Sequence, residues 1–355
     1  MRRYGLWSLL LLLVLLWPLT TFASRFSDLY VFGDSLSDQG NVSTITGGLI
    51  PPPEYTDGIN SGRFTNGLNY VDYFSDRLGL PTGSSVLGGN NYAYGAARSF
   101  THPLGAFGAL SLNEQKDLYL GGLGMTPADA DALFIVWSGS NDMSDILDQA
   151  LVNPLYDPTA DITIAVGGIA QVVGELAAIG AKDFLIPNVP DLGLVPLVTG
   201  GGPPVAGASF LTNLFNNALD AALLVAIAPF ADVDLMRFDT FGLLNQVYAD
   251  PASFGFANAT DACYSEFVLA GGTTCANPDE YLSWDGFHPT SATHRILAAQ
   301  MHEVVPEPAT LGLMLIGLLG GGDGTLPHRL GPFLTPKLLV AVGPGKAGSD
   351  TIFRP

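Results

Sequence analysis

Leu29-Tyr30-Val31-Phe32-Gly33-Asp34-Ser35-Leu36-Ser37-Asp38-Gln39-Gly40-Asn41 is the stretch whose reading decides the fold. Its apolar start makes a short buried strand over 28–33, and the glycine and polar residues behind it end that strand abruptly. A serine at the carboxyl end of a parallel strand stands where α/β sheets place their ligands. Its backbone N–H then shares space with its hydroxyl, so nucleophile and oxyanion donor arrive together. Gly, Asp and Ser are also ordinary turn residues, and taken alone the stretch reads more readily as a plain strand-to-loop turn. The remainder of the chain decides between the two.

Working outward, the pattern predicts a short second strand within 88–97 that ends at Gly95, then strands at 132–137, 183–186 and 233–236. Helices are expected near 112–120, 161–180 and 208–228. Another carries Tyr70, Phe74 and Leu78 on its apolar face, capped by Thr65 or Asn66. Strands alternating with helices, without hairpin signals, imply a five-stranded parallel sheet covered on both faces. The run 48–63, with Pro51, Pro52 and Pro53 in succession, is a surface loop. No linker or internal repeat interrupts 26–304, so it reads as one domain.

Three of the strand ends carry Ser35, Gly95 and Asn141, and in a parallel sheet such ends share one edge. Acyl transfer needs a nucleophile, a base, a group that orients the base, and donors for an oxyanion. Ser35 supplies the hydroxyl. Its own N–H, the N–H of Gly95 and the side-chain amide of Asn141 supply donors. The base is sought in Trp284-Asp285-Gly286-Phe287-His288-Pro289, where the imidazole of His288 takes a proton and Asp285 fixes its tautomer. Asp34 and Asp38 read as loop-structuring acceptors, Arg63 as the partner of a loop carboxylate, and His294 as a solvated or capping residue. Phe100 and Phe107, with the loop 48–61, are candidates to line an acyl pocket. No metal-ligand spacing occurs, and His302-Glu303 lacks the second histidine of a zinc-protease motif. There is no Gly-x-Ser-x-Gly elbow.

The blocks Gly33-Asp34-Ser35-Leu36, Asn91-Tyr92-Ala93-Tyr94-Gly95, Gly139-Ser140-Asn141-Asp142 and Asp285-Gly286-Phe287-His288 resemble, in order, those of the GDSL (SGNH) hydrolases. Gly62-Arg63-Phe64-Thr65-Asn66-Gly67 and Asn188-Val189-Pro190-Asp191-Leu192-Gly193 look like its lipase-like branch. The resemblance spans about 26–304. It implies a three-layer α/β/α sandwich of the flavodoxin-like kind that hydrolyses carboxylic esters without metal or cofactor. Ser35 is then the nucleophile, His288 the base and Asp285 its orienting acid, with Gly95 and Asn141 completing the oxyanion hole. Relatives often carry a second glycine where this chain has Ala96. The family also includes acyltransferases acting on lipid or glycan acceptors, and a third reading is a non-catalytic surface or matrix-binding protein that keeps the fold.

The 355 residues are 48% hydrophobic and 13% charged, enough to bury a large core. A net charge of −19 argues against nucleic acid as a partner. Arg2 and Arg3, the apolar run Leu9 to Trp17 and small residues ending at Ala23 read as a secretory signal peptide over 1–23. The hydrolase domain is set at 24–304. In an exported chain Cys263 and Cys275 are expected as a disulfide. Val305–Leu319 looks like the PEP-CTERM sorting signal of exopolysaccharide-producing Gram-negative bacteria, giving a sorting segment over 305–322 and a disordered tail over 323–355. The resulting expectation is an exported enzyme acting on a small-molecule or lipid ester, associated with exopolysaccharide or the cell surface.

Overall fold

The computed structural model describes residues 25–100, 108–202 and 204–306. The expected leader, most of the sorting segment and the tail lie outside these residues. Four parallel strands form the sheet: β1 (Leu29–Gly33), β2 (Leu133–Trp137), β3 (Asp183–Pro187) and β4 (Asp234–Phe238), in the order β1-β2-β3-β4. Their registers run Val31 to Ile135 and Ile186 to Arg237. Fully apolar strand sequences such as Leu133-Phe134-Ile135-Val136-Trp137 are buried along their whole length, as a sheet covered on both faces requires.

Side chains divide between the two faces with period two. Phe32, Phe134, Val136, Phe184 and Ile186 enter one core. That core is covered by α3 (Leu112–Leu123), α4 (Ser140–Val152), α5 (Thr159–Ala178) and α7 (Ala206–Ile227). Leu29, Val31, Ile135, Trp137, Leu185 and Phe238 enter the other. It is covered by α2 (Tyr70–Leu78), α8 (Thr240–Ala249) and α9 (Ser291–Val304). The chain is therefore a three-layer α/β/α sandwich. Two short helices, α1 (Asn41–Ile45) and α6 (Pro196–Thr199), lie in loops after β1 and β3.

The fifth sheet strand is not formed, and the reason is local. The segment 90–94 follows the free edge of β1, with Val31 N–H donating to Asn90 O at 3.1 Å and Tyr92 N–H to Val31 O at 2.7 Å. The contact continues to Tyr94, whose N–H donates to Gly33 O at 3.2 Å, but the N–H of Gly33 that would extend the ladder is taken by the Gln115 side chain at 2.9 Å. A single parallel bridge, Val31 to Asn91, is what remains of the ladder. Counting this segment as the edge, the order is flavodoxin-like, and the topological switch point falls between β1 and β2.

A second, two-stranded parallel sheet pairs β5 (Asn258–Ala262) with β6 (Tyr281–Ser283), which sequence periodicity did not reveal. Its strands are short and polar, so neither signals burial. The cap of α2 is also displaced from expectation. Asn69 accepts from the N–H groups of Val71 and Asp72, while Asp72 accepts from the N–H of Asn69, a complete capping box.

At the carboxyl end of β1 the backbones nearly touch. A Cβ on Gly33 would stand 2.3 Å from the carbonyl oxygen of Trp137. Gly33→Ala is expected to destabilise the fold by about 1–3 kcal/mol, because a backbone atom cannot yield as a side chain does. Denaturant unfolding measures this, and an unchanged midpoint contradicts it.

Candidate active site

Ser35 follows β1, and the loop it begins is held by its own polar side chains. Asp38, buried, accepts from the N–H groups of Gly40 at 2.7 Å, Asn41 at 2.6 Å and Val42 at 3.2 Å. The Asn41 amide donates to the carbonyls of Asn91 and Ala93, both at 2.8 Å, tying this loop to the edge segment. From the other side Gln115 of α3 holds Gly33, accepting from its N–H at 2.9 Å and donating to its carbonyl at 2.8 Å. No sequence signal identified Gln115; a buried amide on a helix is visible only once its strand partner is known.

His288 meets this loop across 253 positions of sequence, its Nε2 lying 2.8 Å from Ser35 Oγ. Its Nδ1 lies 2.7 Å from Asp285 Oδ2. Asp285 Oδ1 accepts from the N–H groups of Phe287 at 2.7 Å and His288 at 2.6 Å, which fixes the carboxylate within its own turn. Ser35 and His288 are nearly closed off, at 5% and 3% exposed. The rings of Phe64, Phe267 and Phe287 surround the imidazole at 5.4, 5.7 and 5.9 Å between centroids. The Gly62–Gly67 block supports the histidine loop: Thr65 donates to Pro289 O at 2.8 Å and Asn66 accepts from Ser291 N–H at 2.7 Å. Arg63 pairs with Asp72 at 2.7 Å, so its partner is a carboxylate on the first turn of α2 rather than one in a loop.

Tyr55, in the proline-rich loop, is the site residue that sequence reasoning missed. It is fully buried and its hydroxyl donates to Asp285 Oδ2 at 2.5 Å. Burial, followed by the Asp285 charge, pushes its phenol far up, so it remains a donor. The same hydroxyl accepts from Val268 N–H at 2.9 Å. Val268 lies in the loop closed by the Cys263–Cys275 disulfide and has φ +54°, a strained value for a β-branched residue. Tyr264 stacks on Trp284 at 5.3 Å and meets Tyr55 edge-on at 5.5 Å. The disulfide loop thus braces Tyr55, and Tyr55 braces Asp285.

The oxyanion donors differ from expectation. The N–H of Gly95 donates to Asp38 Oδ2 at 2.9 Å and is committed there. At Gly95 a Cβ would stand 2.2 Å from the ring of Phe64, a close packing that glycine alone meets. The next residue, Ala96, has φ +67°, and among the described residues no acceptor meets its N–H or that of Ser35. Asn141, on the first turn of α4, donates to Ala97 O at 2.9 Å, leaving the second proton of its amide uncommitted.

Two further expectations are corrected. His294 is neither solvated nor capping: it is 1% exposed, and burial pushes its imidazole down to about 3, so it is neutral core. Phe100 packs against Gly168 of α5 and lines a polar cavity with Arg98, Asp142 and Asp145, while Phe107 lies outside the described residues. Among the described residues no cluster of His, Cys, Asp or Glu forms a metal site.

A family model described as GDSL-like lipase/acylhydrolase matches residues 29–301. A GDSL esterase/lipase of Arabidopsis thaliana is 28% identical over 318 residues, covering 76% of this chain and 86% of its own. Lipase 1 of Photorhabdus luminescens is 27% identical over 382 residues, covering 86% of this chain and 55% of its own. The acetylxylan esterase Axe2 of Geobacillus stearothermophilus aligns with a TM-score of 0.43 at 14% identity, over 81% of this chain and 98% of that one. At that level the last likeness bears on neither activity nor substrate.

Two outcomes test the site. Tyr55→Phe removes a hydrogen bond to a charged carboxylate, worth about 1.5–3 kcal/mol. Phosphonylation of Ser35 by a fluorophosphonate should slow by roughly tenfold to a hundredfold; an unchanged rate contradicts the bracing role. Asp34 is 1% exposed with Oδ2 unpartnered, and burial pushes its carboxyl from 3.8 up to about 7. A carboxyl harder to ionise in the fold than in the unfolded chain contributes stability that is complete below its ordinary value. That contribution is lost as pH rises towards about 7. Burial likewise raises Asp38, to about 6, so Asp34→Asn should reduce, not abolish, the fall in unfolding free energy between pH 4 and 7. Identical slopes in the two proteins contradict this.

Proposed function

The chain belongs to the GDSL-like lipase/acylhydrolase family, and on that footing we propose that it is a secreted serine hydrolase cleaving carboxylic esters through an acyl-enzyme on Ser35. The observation that carries this reading is the unbroken line from Ser35 Oγ to His288 Nε2 at 2.8 Å and from His288 Nδ1 to Asp285 Oδ2 at 2.7 Å. Ser35 Oγ attacks the ester carbonyl carbon as its proton passes to His288 Nε2. The developing oxyanion is received by the N–H groups of Ser35 and Ala96 and the amide of Asn141, with Ala96 taking the place expected of Gly95. Collapse of the tetrahedral intermediate expels the alcohol, which receives the proton from His288. Water, deprotonated by the same imidazole, then attacks the acyl carbonyl, and collapse releases the acid as His288 returns that proton to Ser35 Oγ.

Export belongs to the same reading. Residues 1–23 serve as a cleaved leader, 24–304 as the hydrolase domain, and 305–322 as a sorting segment that leads the enzyme to the surface of a Gram-negative cell. The Cys263–Cys275 disulfide supports an oxidising destination. In that setting the enzyme meets lipid or cell-surface esters.

With a p-nitrophenyl ester, a burst of one p-nitrophenol per enzyme should precede steady turnover, and kcat/KM should fall by at least about a thousandfold in Ser35→Ala. Turnover that persists in Ser35→Ala overturns the assignment of the nucleophile. A product lag without a burst leaves Ser35 in place but argues against rate-limiting deacylation.

A further inference from the structure

We propose that Arg98 is a positioning residue for the oxyanion hole, a clamp that holds Ala96 in the left-handed conformation in which its N–H serves the oxyanion. The inference rests on the reading above that makes this N–H a donor, and it names the side chain on which the donor depends. Ala96 is the third residue of a turn closed by the Ala97 N–H, which donates to Tyr94 O at 3.1 Å. Its φ of +67° is the value for which turns of this kind ordinarily use glycine. Alanine resists it because its Cβ crowds the following carbonyl oxygen, whereas glycine adopts it freely. Contacts from outside the turn must therefore hold the residue there.

Those contacts bracket the donor. The peptide before it is fixed by the Gly95 N–H, which donates to Asp38 Oδ2 at 2.9 Å. The peptide after it is fixed by Arg98, whose Nη1 donates to Ala96 O at 2.9 Å. Arg98 can clamp because the rest of its guanidinium is anchored. Nε and Nη2 donate to the two carboxylate oxygens of Asp145 at 2.7 and 2.8 Å, a two-pronged pair that sets the plane of the group.

Asp145 lies on α4 one turn beyond Asn141, the side-chain donor of the same hole. From that helix Asn141 also donates to Ala97 O at 2.9 Å, and Asp142 accepts from the Ser99 N–H at 3.1 Å and from its hydroxyl at 2.7 Å. Residues 96–99 are thus held by Asn141, by Asp142 and, through Arg98, by Asp145. One helix sets the Asn141 amide and the Ala96 N–H together, which gives the two donors a fixed spacing. The side chains of Arg98 and Asp145 are 24% and 45% exposed. At such exposure an ion pair contributes little to stability, so the loss of Arg98 should be read in catalysis rather than in folding.

A double-mutant cycle on the full-length protein, with p-nitrophenyl butyrate as substrate, tests the clamp. Arg98→Met should lower kcat and kcat/KM alike by at least about tenfold, the mark of an interaction made in the transition state. In the Ala96→Gly background the same Arg98→Met change should cost no more than about threefold, because glycine populates the left-handed conformation unaided. A role confined to packing would cost the same in both backgrounds. An equal loss in both, or an undiminished kcat in Arg98→Met, overturns the clamp while leaving Ser35-dependent hydrolysis standing. Should Arg98→Met fail to fold, Arg98→Lys carries the cycle, since one ammonium cannot serve Asp145 and Ala96 O as the guanidinium fork does. Failure of the wild type to hydrolyse p-nitrophenyl esters removes the hydrolase reading, and the clamp with it.

Discussion

The 2.8 Å contact between Ser35 Oγ and His288 Nε2 joins two loops that the chain separates by 253 positions, and a dense set of side-chain hydrogen bonds holds those loops. On the serine side, Asp38 gathers four backbone N–H groups and Asn41 and Asn91 sew the loop to its neighbouring segment. On the histidine side, Thr65 and Asn66 fix the residues just past His288. These bonds are buried, where an unpartnered donor or acceptor costs about 1–3 kcal/mol. A loop so heavily bonded has few alternative arrangements, which is what a nucleophile needs if its base is to lie within hydrogen-bond reach.

Raised carboxyls accompany this rigidity. Asp34 and Asp38 lie close to Ser35 in the chain, and burial pushes both well above the ordinary aspartate value. The fold bears that destabilisation at neutral pH because the same desolvation tightens every bond they accept. The disulfide loop works by a different principle. It contributes an aromatic cover for His288 through Phe267 and a backbone donor for Tyr55 through the strained Val268. Strain in such a loop is tolerated where the surroundings over-determine it, here through Tyr264, Trp284 and the Cys263–Cys275 bond.

Much of this was legible in the sequence. Unbroken apolar runs such as 133–137 announce doubly covered strands, and strand ends are where a sheet of parallel strands gathers its chemistry. Ser35, Gly95 and Asn141 are placed at one edge on that argument, whereas Asp285 and His288 come from their own spacing and the family resemblance. What escaped depends on contacts between distant segments. The segment 90–94 has strand-like residues, yet Gln115, 82 positions after Gly33, takes the Gly33 N–H that would extend the pairing, and one bridge remains. Gly95 reads as a donor because glycine exposes its N–H, but Asp38, 57 positions earlier, has already claimed it. Tyr55 sits among prolines in what looks like surface loop, and its burial against Trp284 follows only from the pairing of β5 with β6.

The central claim is that one oxyanion position is defined jointly by Ser35, Ala96 and Asn141, with His288 on the opposite side of Ser35 Oγ. A crystal structure of the enzyme with a diethyl phosphoryl group on Ser35 addresses it directly, since the phosphoryl oxygen occupies the place of the oxyanion. The account predicts that oxygen within about 3.1 Å of Ser35 N, Ala96 N and Asn141 Nδ2, with Gly95 N still bound to Asp38. A phosphoryl oxygen directed at Gly95 N, or turned away from Asn141 altogether, would contradict it.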